Sequence, residues 1–456
     1  MGRFRISCRR RGEITNAESR AQAARAANLQ AARGARIILH HGVNPTFTRA
    51  LGVLAAHSLF CYNAGMQGSQ KLTIVQADFH RHWGGQAEVV LALSTALVRR
   101  GHRVIVAAPP TKETAGKIEV SDLVARAKDA GLQVFTQCQF TKGFRPLAFL
   151  RDVKLLGNLL NKEDAQIYHC HGSQDHWIGA LAVRQHSPAT KIVRTRHNIY
   201  PVQNHAANRW LFRKKTAQVI TIFGEQKKFF TESGLLCDEQ MATLHSPLPH
   251  EFVSPNNVNR AAREELKLAE NVPLVGFVAN FHPDKAPLDF VAMAERVVKA
   301  VPDVHFAMAG HGPLDNDIRA RVKELGLDDR VHMLGFRKDM VNVMASYDLL
   351  ALTSVTREAS STVLKQAGAM GVPVIATDIG GTREVVDDGR TGIIVKPGDV
   401  TGLCNAVIAL LSDRPRAEKL GAAGKIKVLG EFTADAIAEK TEALYLRALE
   451  PTGVAS

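Results

Sequence analysis

From Lys71 onward the chain alternates short apolar runs with longer amphipathic stretches, and it does so in two successive series. LTIVQA at 72–77 is a strand pattern, and GGQAEVVLALSTALVRRG after it carries apolar residues at helical spacing. HRVIVAAP, LQVFTQ, AQIYHCHG, TKIVRTRH and AQVITIF then read as buried strands with helical segments between them. Uninterrupted apolar strands alternating with helices imply a parallel sheet covered on both faces. A segment rich in Pro, Ser and Asn, His245 to Asn259, breaks the pattern and is the expected linker, 246–259. The second series follows with VPLVGFVAN, DVHFAMAG, DRVHMLGF, YDLLALTS, VPVIATD and TGIIV as strands, and helices expected at Ala286–Ala300 and Asp315–Leu325. The pattern therefore predicts two Rossmann-like parallel α/β domains, at 71–245 and 260–430, facing a central cleft. A last helix over 431–456, with Tyr445 and Leu449 on its apolar stripe, is expected to return towards the first domain. Ligands of such sheets bind beyond the carboxyl ends of the strands, so the cleft is the expected site.

Charge divides the chain unevenly. Residues 1–70 carry +8, residues 71–259 carry +9 and residues 260–456 carry −3, within a total of +14. A basic first half suits an anionic phospholipid surface. Nucleic acid is the rival, and no basic-aromatic interleaving or nucleic-acid motif supports it. No run approaches the ~18 apolar residues of a membrane span. The first seventy residues are rich in Arg and Ala with no sustained apolar period, which predicts disorder or loose helix, and Met66 is a candidate natural start. The six cysteines (Cys8, Cys61, Cys138, Cys170, Cys237, Cys404) are scattered without a C-x-x-C and are expected to be reduced thiols.

The chemistry concentrates in Thr353 to Val395. A strand end leads into a polar turn with Glu358, then a helix opening near Ser361. A helix start offers unpaired N–H groups and a positive dipole end, which suit a phosphate. An acid just before it suits hydroxyls instead, and phosphate plus hydroxyls on one ligand means a nucleotide sugar. Lys285, after the strand ending near Asn280, is a cation on a loop at the cleft that can neutralise a leaving diphosphate. Gly84 and Gly85 sit between the first strand and first helix, where glycine lets backbone approach a ligand. His80 and His82 precede them and would face one way if that strand continued, but no third ligand accompanies them and no metal is expected. His169 and His171 in YHCHG, and His197 in RTRHN, lie at strand ends, where a neutral imidazole can position a sugar hydroxyl. Asp315 and Asp317 open a helix and read as capping acids rather than metal ligands.

In order and spacing these pieces resemble the family 4 retaining glycosyltransferases of the GT-B fold, from Lys71 to about Arg447. The resembling segments are GGQAEVVLALSTALVRRGHRVIV, HCHG, RTRHN, FVANFHPDKAPLDFVAMAERV, AMAGHGPLDNDIRARVKELGLDDRVHMLGF and REASSTVLKQAGAMGVPVIATDIGGTREVV. The resemblance implies that Glu358 contacts donor-sugar hydroxyls and that Ser360, Ser361 and Thr362 donate to sugar and diphosphate. It implies that Lys285 neutralises the diphosphate, that Gly84 and Gly85 lie near phosphates and acceptor, and that His197 bonds the transferred sugar. His82 and His171 fall on the acceptor side. Two positions depart from the family pattern. Gln366 stands where the family has an acid on the ribose, and Asn280 where it has an arginine five residues before the lysine. Gln366 keeps an acceptor oxygen but loses charge; Lys285, His282 or Arg357 are candidates to compensate for Asn280.

The implied reaction moves a sugar from a nucleotide diphosphate to an acceptor hydroxyl with retention, with no bound cofactor and no metal. A glycan or lipid-linked acceptor at the cytoplasmic membrane face, in lipopolysaccharide or other cell-surface glycan synthesis, fits the basic first domain. The alternatives are an epimerase or hydrolase of nucleotide sugars on the same fold, in which the donor itself or water takes the acceptor's place, and a basic nucleic-acid-binding adaptor.

Overall fold

The computed structural model describes residues 70–114, 117–141, 143, 145–198, 200–356 and 358–450. The expectations for residues 1–69, Met66, Cys8 and Cys61 among them, and for Arg357 lie outside the described residues.

The first sheet has the order β5-β2-β1-β6-β7-β8-β9, all neighbours parallel. Its strands are β1 (Thr73–Ala77), β2 (Arg103–Ala107), β5 (Gln133–Phe135), β6 (Ile167–Cys170), β7 (Lys191–Arg196), β8 (Thr216–Thr221) and β9 (Met241–Thr243). The central ones are buried along their length, which is why they read as unbroken apolar runs. The second sheet runs β12-β11-β10-β13-β14-β15, again all parallel. It comprises β10 (Leu274–Val278), β11 (His305–Ala309), β12 (Val331–Gly335), β13 (Leu349–Leu352), β14 (Val374–Thr377) and β15 (Ile393–Val395). Apolar clusters fill both faces of each sheet. The expected α/β architecture is present, with strand edges within a few residues of their sequence limits.

Three details differ from the sequence expectation. β3 (Thr111–Thr114) and β4 (Lys117–Val120) form an antiparallel hairpin; TKET and KIEV are too polar to announce strands. β9 is three residues long, below the reach of a periodicity argument. The linker holds a short helix, His250–Val253, that buries Phe252.

Four helices bear on the site: α1 (Gly85–Arg99), α2 (Ser173–His186), α3 (Thr362–Met370) and α4 (Ala434–Leu449). The last of them, α4, packs on α1. Arg99 pairs with Asp435 and Arg100 with Glu442, at 2.7 and 2.6 Å. Tyr445 of α4 is fully buried against the first sheet and bonds Gln76 of β1 at 3.1 Å. Helix α4 is thus structurally part of the first sheet's layer, far from it in sequence.

Candidate active site

Two groups of side chains gather at the carboxyl ends of the two sheets. In the second sheet, β13 ends at Leu352, and the segment after it is pinned in place. Thr353 Oγ1 donates to the carbonyls of Lys285 and Ala286 at 2.7 and 3.0 Å, and Val355 N–H to that of Asp284 at 2.9 Å. Ala286 holds φ 43°, a left-handed conformation unusual for a residue with a Cβ, so these bonds over-determine a strained turn. They set Lys285 Nζ 2.6 Å from Glu358 Oε2, which also accepts from Ser354 Oγ at 2.9 Å. The Glu358 side chain is 8% exposed and that of Lys285 25%. Lys285 and Glu358, 73 residues apart, are therefore one unit.

Gly380 and Gly381 stand behind that turn. A Cβ at Gly380 would lie 1.7 Å from the Glu358 carbonyl oxygen, and one at Gly381 2.0 Å from that of Ala359. Gly381 N–H bonds the Glu358 carbonyl at 3.0 Å. The glycine pair in this chain is required by close packing on the Glu358 backbone. Ser361 is the N-cap of α3, its hydroxyl accepting from Leu364 N–H at 3.4 Å, and Thr362 is exposed at the first helical position. Gln366 is half-buried one turn further on.

Ser360 belongs to a chain of polar contacts that leaves the second sheet. Its hydroxyl lies 3.2 Å from His245 Nδ1, and His245 Nε2 lies 3.2 Å from Glu384 Oε2. Glu384 Oε1 accepts from Gly224 N–H, after β8 of the first sheet, at 2.7 Å. Burial opposes ionisation of Glu384, but the bonds from His245 and Gly224 outweigh it and hold the carboxyl below its usual range. Lys365 is fully buried beneath Ser360. It donates to Ser360 Oγ at 3.0 Å and to the Ser246 carbonyl at 2.6 Å, and sits 5.8 Å from the centre of the Phe432 ring. Burial draws its ammonium down to about 7, with Glu88 of α1 and Glu358 partly offsetting this. The first turn of α1 thus lies within electrostatic reach of α3, and the linker is bonded to α3 through Ser246. His245, Lys365 and Glu384 were missed in the sequence; the lysine between Leu364 and Gln366, inside a helix's apolar stripe, was the one available signal.

In the first sheet, His171 and His197 meet across β6 and β7, Nδ1 to Nε2 at 2.9 Å. Gln76 Nε2 donates to Tyr445, so its Oε1 accepts from His171 Nε2 at 2.8 Å. That assignment leaves His171 Nδ1 as an acceptor and puts the proton of His197 on Nε2, so His197 Nδ1 is an acceptor lone pair. Tyr445 OH meets His169 Nδ1 at 2.7 Å, and His169 Nε2 meets Thr195 Oγ1 at 2.7 Å. Burial, with Arg194 adding to it, lowers His169 to about 3. Burial also holds His171 and His197 well below the usual histidine range. These imidazoles are neutral, and His197, half-buried, presents a neutral acceptor.

Gly84 and Gly85 are exposed at the start of α1, and a Cβ on either would meet nothing within 4 Å. Asn280 is exposed after β10, its Oδ1 packed on Gly312. His82 is exposed on a depression of about 350 Å³ shared with His80 and Arg81. The first strand ends at Ala77, so it does not run on to align His80 with His82; His80 Nδ1 instead bonds Asp78 at 2.8 Å. Asp315 accepts from Gly312 N–H at 3.0 Å at the start of its helix. No group of three or more metal-ligating side chains occurs among the described residues.

Known proteins share this fold. Residues 83–228 match Glycosyltransferase Family 4 and residues 272–413 match Glycosyl transferases group 1. N-acetyl-alpha-D-glucosaminyl L-malate synthase of Bacillus anthracis is 26% identical over 295 residues, 64% of this chain and 77% of that one. A glycosyltransferase from Rickettsia africae superposes with a TM-score of 0.71 at 19% identity, over 84% of this chain and all of that one. HepE of Anabaena, solved with UDP-glucose, superposes with a TM-score of 0.62 at 20% identity, over 83% of this chain and all of that one. The chain belongs to the family 4 glycosyltransferases of the GT-B fold.

Proposed function

We propose that the enzyme transfers a sugar, with retention of anomeric configuration and without a metal ion, from a nucleotide-diphosphate sugar to a hydroxyl of a cell-surface glycan precursor such as lipopolysaccharide. The Lys285–Glu358 pair at the mouth of the second sheet carries this reading. The transition state is oxocarbenium-like, with negative charge growing on the leaving phosphate, so the protein's work is to neutralise and to orient. Lys285 and the N-terminus of α3 receive the diphosphate. Glu358 accepts from sugar hydroxyls, and Gln366 from the ribose. Gly84 and Gly85 let the first domain's backbone close on the donor. His197 Nδ1 accepts from a hydroxyl of the transferred sugar, while His171 holds its ring and, with His82, lines the acceptor side. In this reading the leaving phosphate itself helps deprotonate the acceptor, and the linker near Ser246–Pro255 is the hinge of closure. The relative named for glucosaminyl transfer and the neighbour solved with UDP-glucose support a UDP-type donor.

The test is to screen nucleotide sugars by thermal shift, then follow the product's anomeric proton by NMR with and without EDTA. A retained configuration at a rate unchanged by EDTA is expected. An inverted product, or activity lost to EDTA and restored by Mg²⁺, would refute the mechanism.

The acceptor is proposed to be a glycan or lipid-linked molecule reached at the inner membrane face. No helix among the described residues is long and apolar enough to cross a membrane, while residues 71–259 carry +9. Sedimentation with phosphatidylglycerol vesicles should therefore show binding that falls steeply with salt. Absent or salt-independent binding would remove the membrane from this reading.

A further inference from the structure

Strand β7 carries Arg194 and Arg196 on the face opposite Thr195 and His197, because successive side chains of a strand alternate. Both guanidiniums are buried, at 2% and 8% exposure. Arg196 donates to the Tyr200 carbonyl and lies 5.8 Å from the centre of the Phe230 ring. Arg194 is different. Its Nε and Nη1 have no hydrogen-bond partner among the described residues, and no carboxylate there pairs with it. Asp175, the nearby acid, uses Oδ2 to accept the N–H groups of His171 and Gly172, both at 2.8 Å. Arg194 also hydrogen-bonds the Cys170 thiol, a weak acceptor, and its charge partly offsets the burial that raises Asp175. Burying two guanidinium nitrogens without an acceptor is unfavourable. Setting a second one beside it adds repulsion, and burial and Arg194 together draw Arg196 down to about 10.

Both arginines line one cavity of about 220 Å³. Ser173, His176, Trp177, Gln203 and Asn208 share its wall. Ser173 opens the fourteen-residue helix α2, so backbone N–H groups and a positive dipole end join the two cations. His176 meets Thr216 Oγ1 at 2.8 Å and is held well below the usual histidine range by burial, then by Arg194 and Arg196. The cavity sits at the carboxyl end of β7, its Arg196 one residue before His197 in sequence and on the other face of the sheet. It is concave, positive and floored by a buried cation whose Nε and Nη1 have no hydrogen-bond partner among the described residues.

We infer that this cavity is an oxyanion subsite that takes a phosphoryl group carried by the acceptor. Arg194 supplies the buried fork, Arg196 and the α2 N-terminus complete the shell, and Gln203 and Asn208 form the rim. That the anion belongs to the acceptor rests on the sugar-transfer reading; that the cavity binds an oxyanion does not. Phosphate binding measured without turnover therefore separates the two.

The experiment follows inorganic phosphate by ³¹P NMR line width on the full chain, with saturating UDP present to occupy the donor side. Wild type is expected to bind phosphate, and Lys285→Ala to bind it equally. Arg194→Met should weaken binding about tenfold or more, as loss of a charge-assisted pair requires, while melting no lower than wild type in phosphate-free buffer. A merely structural arginine would give the reverse pattern, a lower melting temperature with phosphate binding intact, and that result overturns the inference. Gln203→Glu keeps the test open should Arg194→Met not fold. It changes an exposed side chain and sets a carboxylate at the rim, so it too should weaken phosphate; unchanged binding counts against the subsite. Displacement by glycerol 3-phosphate assigns a water-soluble source and displacement by phosphatidylglycerol vesicles a lipid one. Displacement by neither rules out a phosphoryl occupant.

Discussion

Lys285→Ala is expected to lower kcat by ~100-fold or more with little change in acceptor KM, because it removes the cation proposed to meet charge developing on the leaving diphosphate. The effect should be large in this chain, because Asn280, five positions before the lysine, is uncharged and adds no second cation. The ion pair complicates the experiment in an instructive way. Glu358 is 8% exposed and accepts from Lys285 at 2.6 Å, so alanine leaves a nearly buried carboxylate that keeps, among the described residues, the Ser354 hydroxyl. Breaking a buried pair from one side commonly destabilises by ~3–5 kcal/mol, and a loss of rate could then be a loss of folded enzyme. The double variant Lys285→Ala/Glu358→Gln removes the stranded charge. It should recover most of the melting temperature and none of the turnover. Single-variant turnover within ~3-fold of wild type, measured on folded protein, would refute the assignment of Lys285.

How much of this was legible in the sequence depends on what kind of contact made it. Strands with fully buried faces, such as Val374–Thr377 and Ile167–Cys170, announced themselves as apolar runs, because burial on both sides selects for them. Glu358 and Ser361 were legible because a helix start has a local chemistry, and Ser361 is indeed the N-cap. The Lys285–Glu358 contact was not, since it joins residues 73 positions apart through a strained turn that no local pattern encodes. The same holds for Glu384, which reaches Gly224 across 160 positions, and for Tyr445, whose hydroxyl links Gln76 to His169 from the last helix. The sequence marked His171 and His197 as separate strand-end residues. Only the side-by-side pairing of β6 and β7 makes them one hydrogen-bonded pair with a defined tautomer. Arg194 reads in the sequence as one of three cations in KIVRTRHN, and only the alternation of β7 separates it from His197.

Lys365 yields the second large effect. Its folded pKa, lowered to about 7 from an ordinary lysine value of 10.5, means that the unfolded chain binds the proton more tightly. The resulting penalty is fully present below about pH 7 and fades as pH rises towards the unfolded value, so this group makes stability rise with pH across that window. Lys365→Met, close in length and uncharged, should therefore melt at or above the wild-type temperature near pH 7. Activity should move the opposite way. The ammonium ties Ser360 to the Ser246 carbonyl of the linker, so its loss unfastens the donor turn from the hinge. A rise of ~10-fold or more in donor KM is expected from two lost charge-assisted hydrogen bonds. The charged groups around it are Glu88 on α1, Glu358 before α3, Glu251 acting through Glu88, and His245 through Ser360. None of the three carboxylates can take over its role. A diphosphate arriving nearby favours the charged form, so donor binding takes up a proton above about pH 7 and wild-type donor KM climbs between pH 7 and 8.5. In Lys365→Met that climb should vanish. Superimposable pH profiles for the two proteins would show that Lys365 is packing for α3 and plays no part in holding the donor.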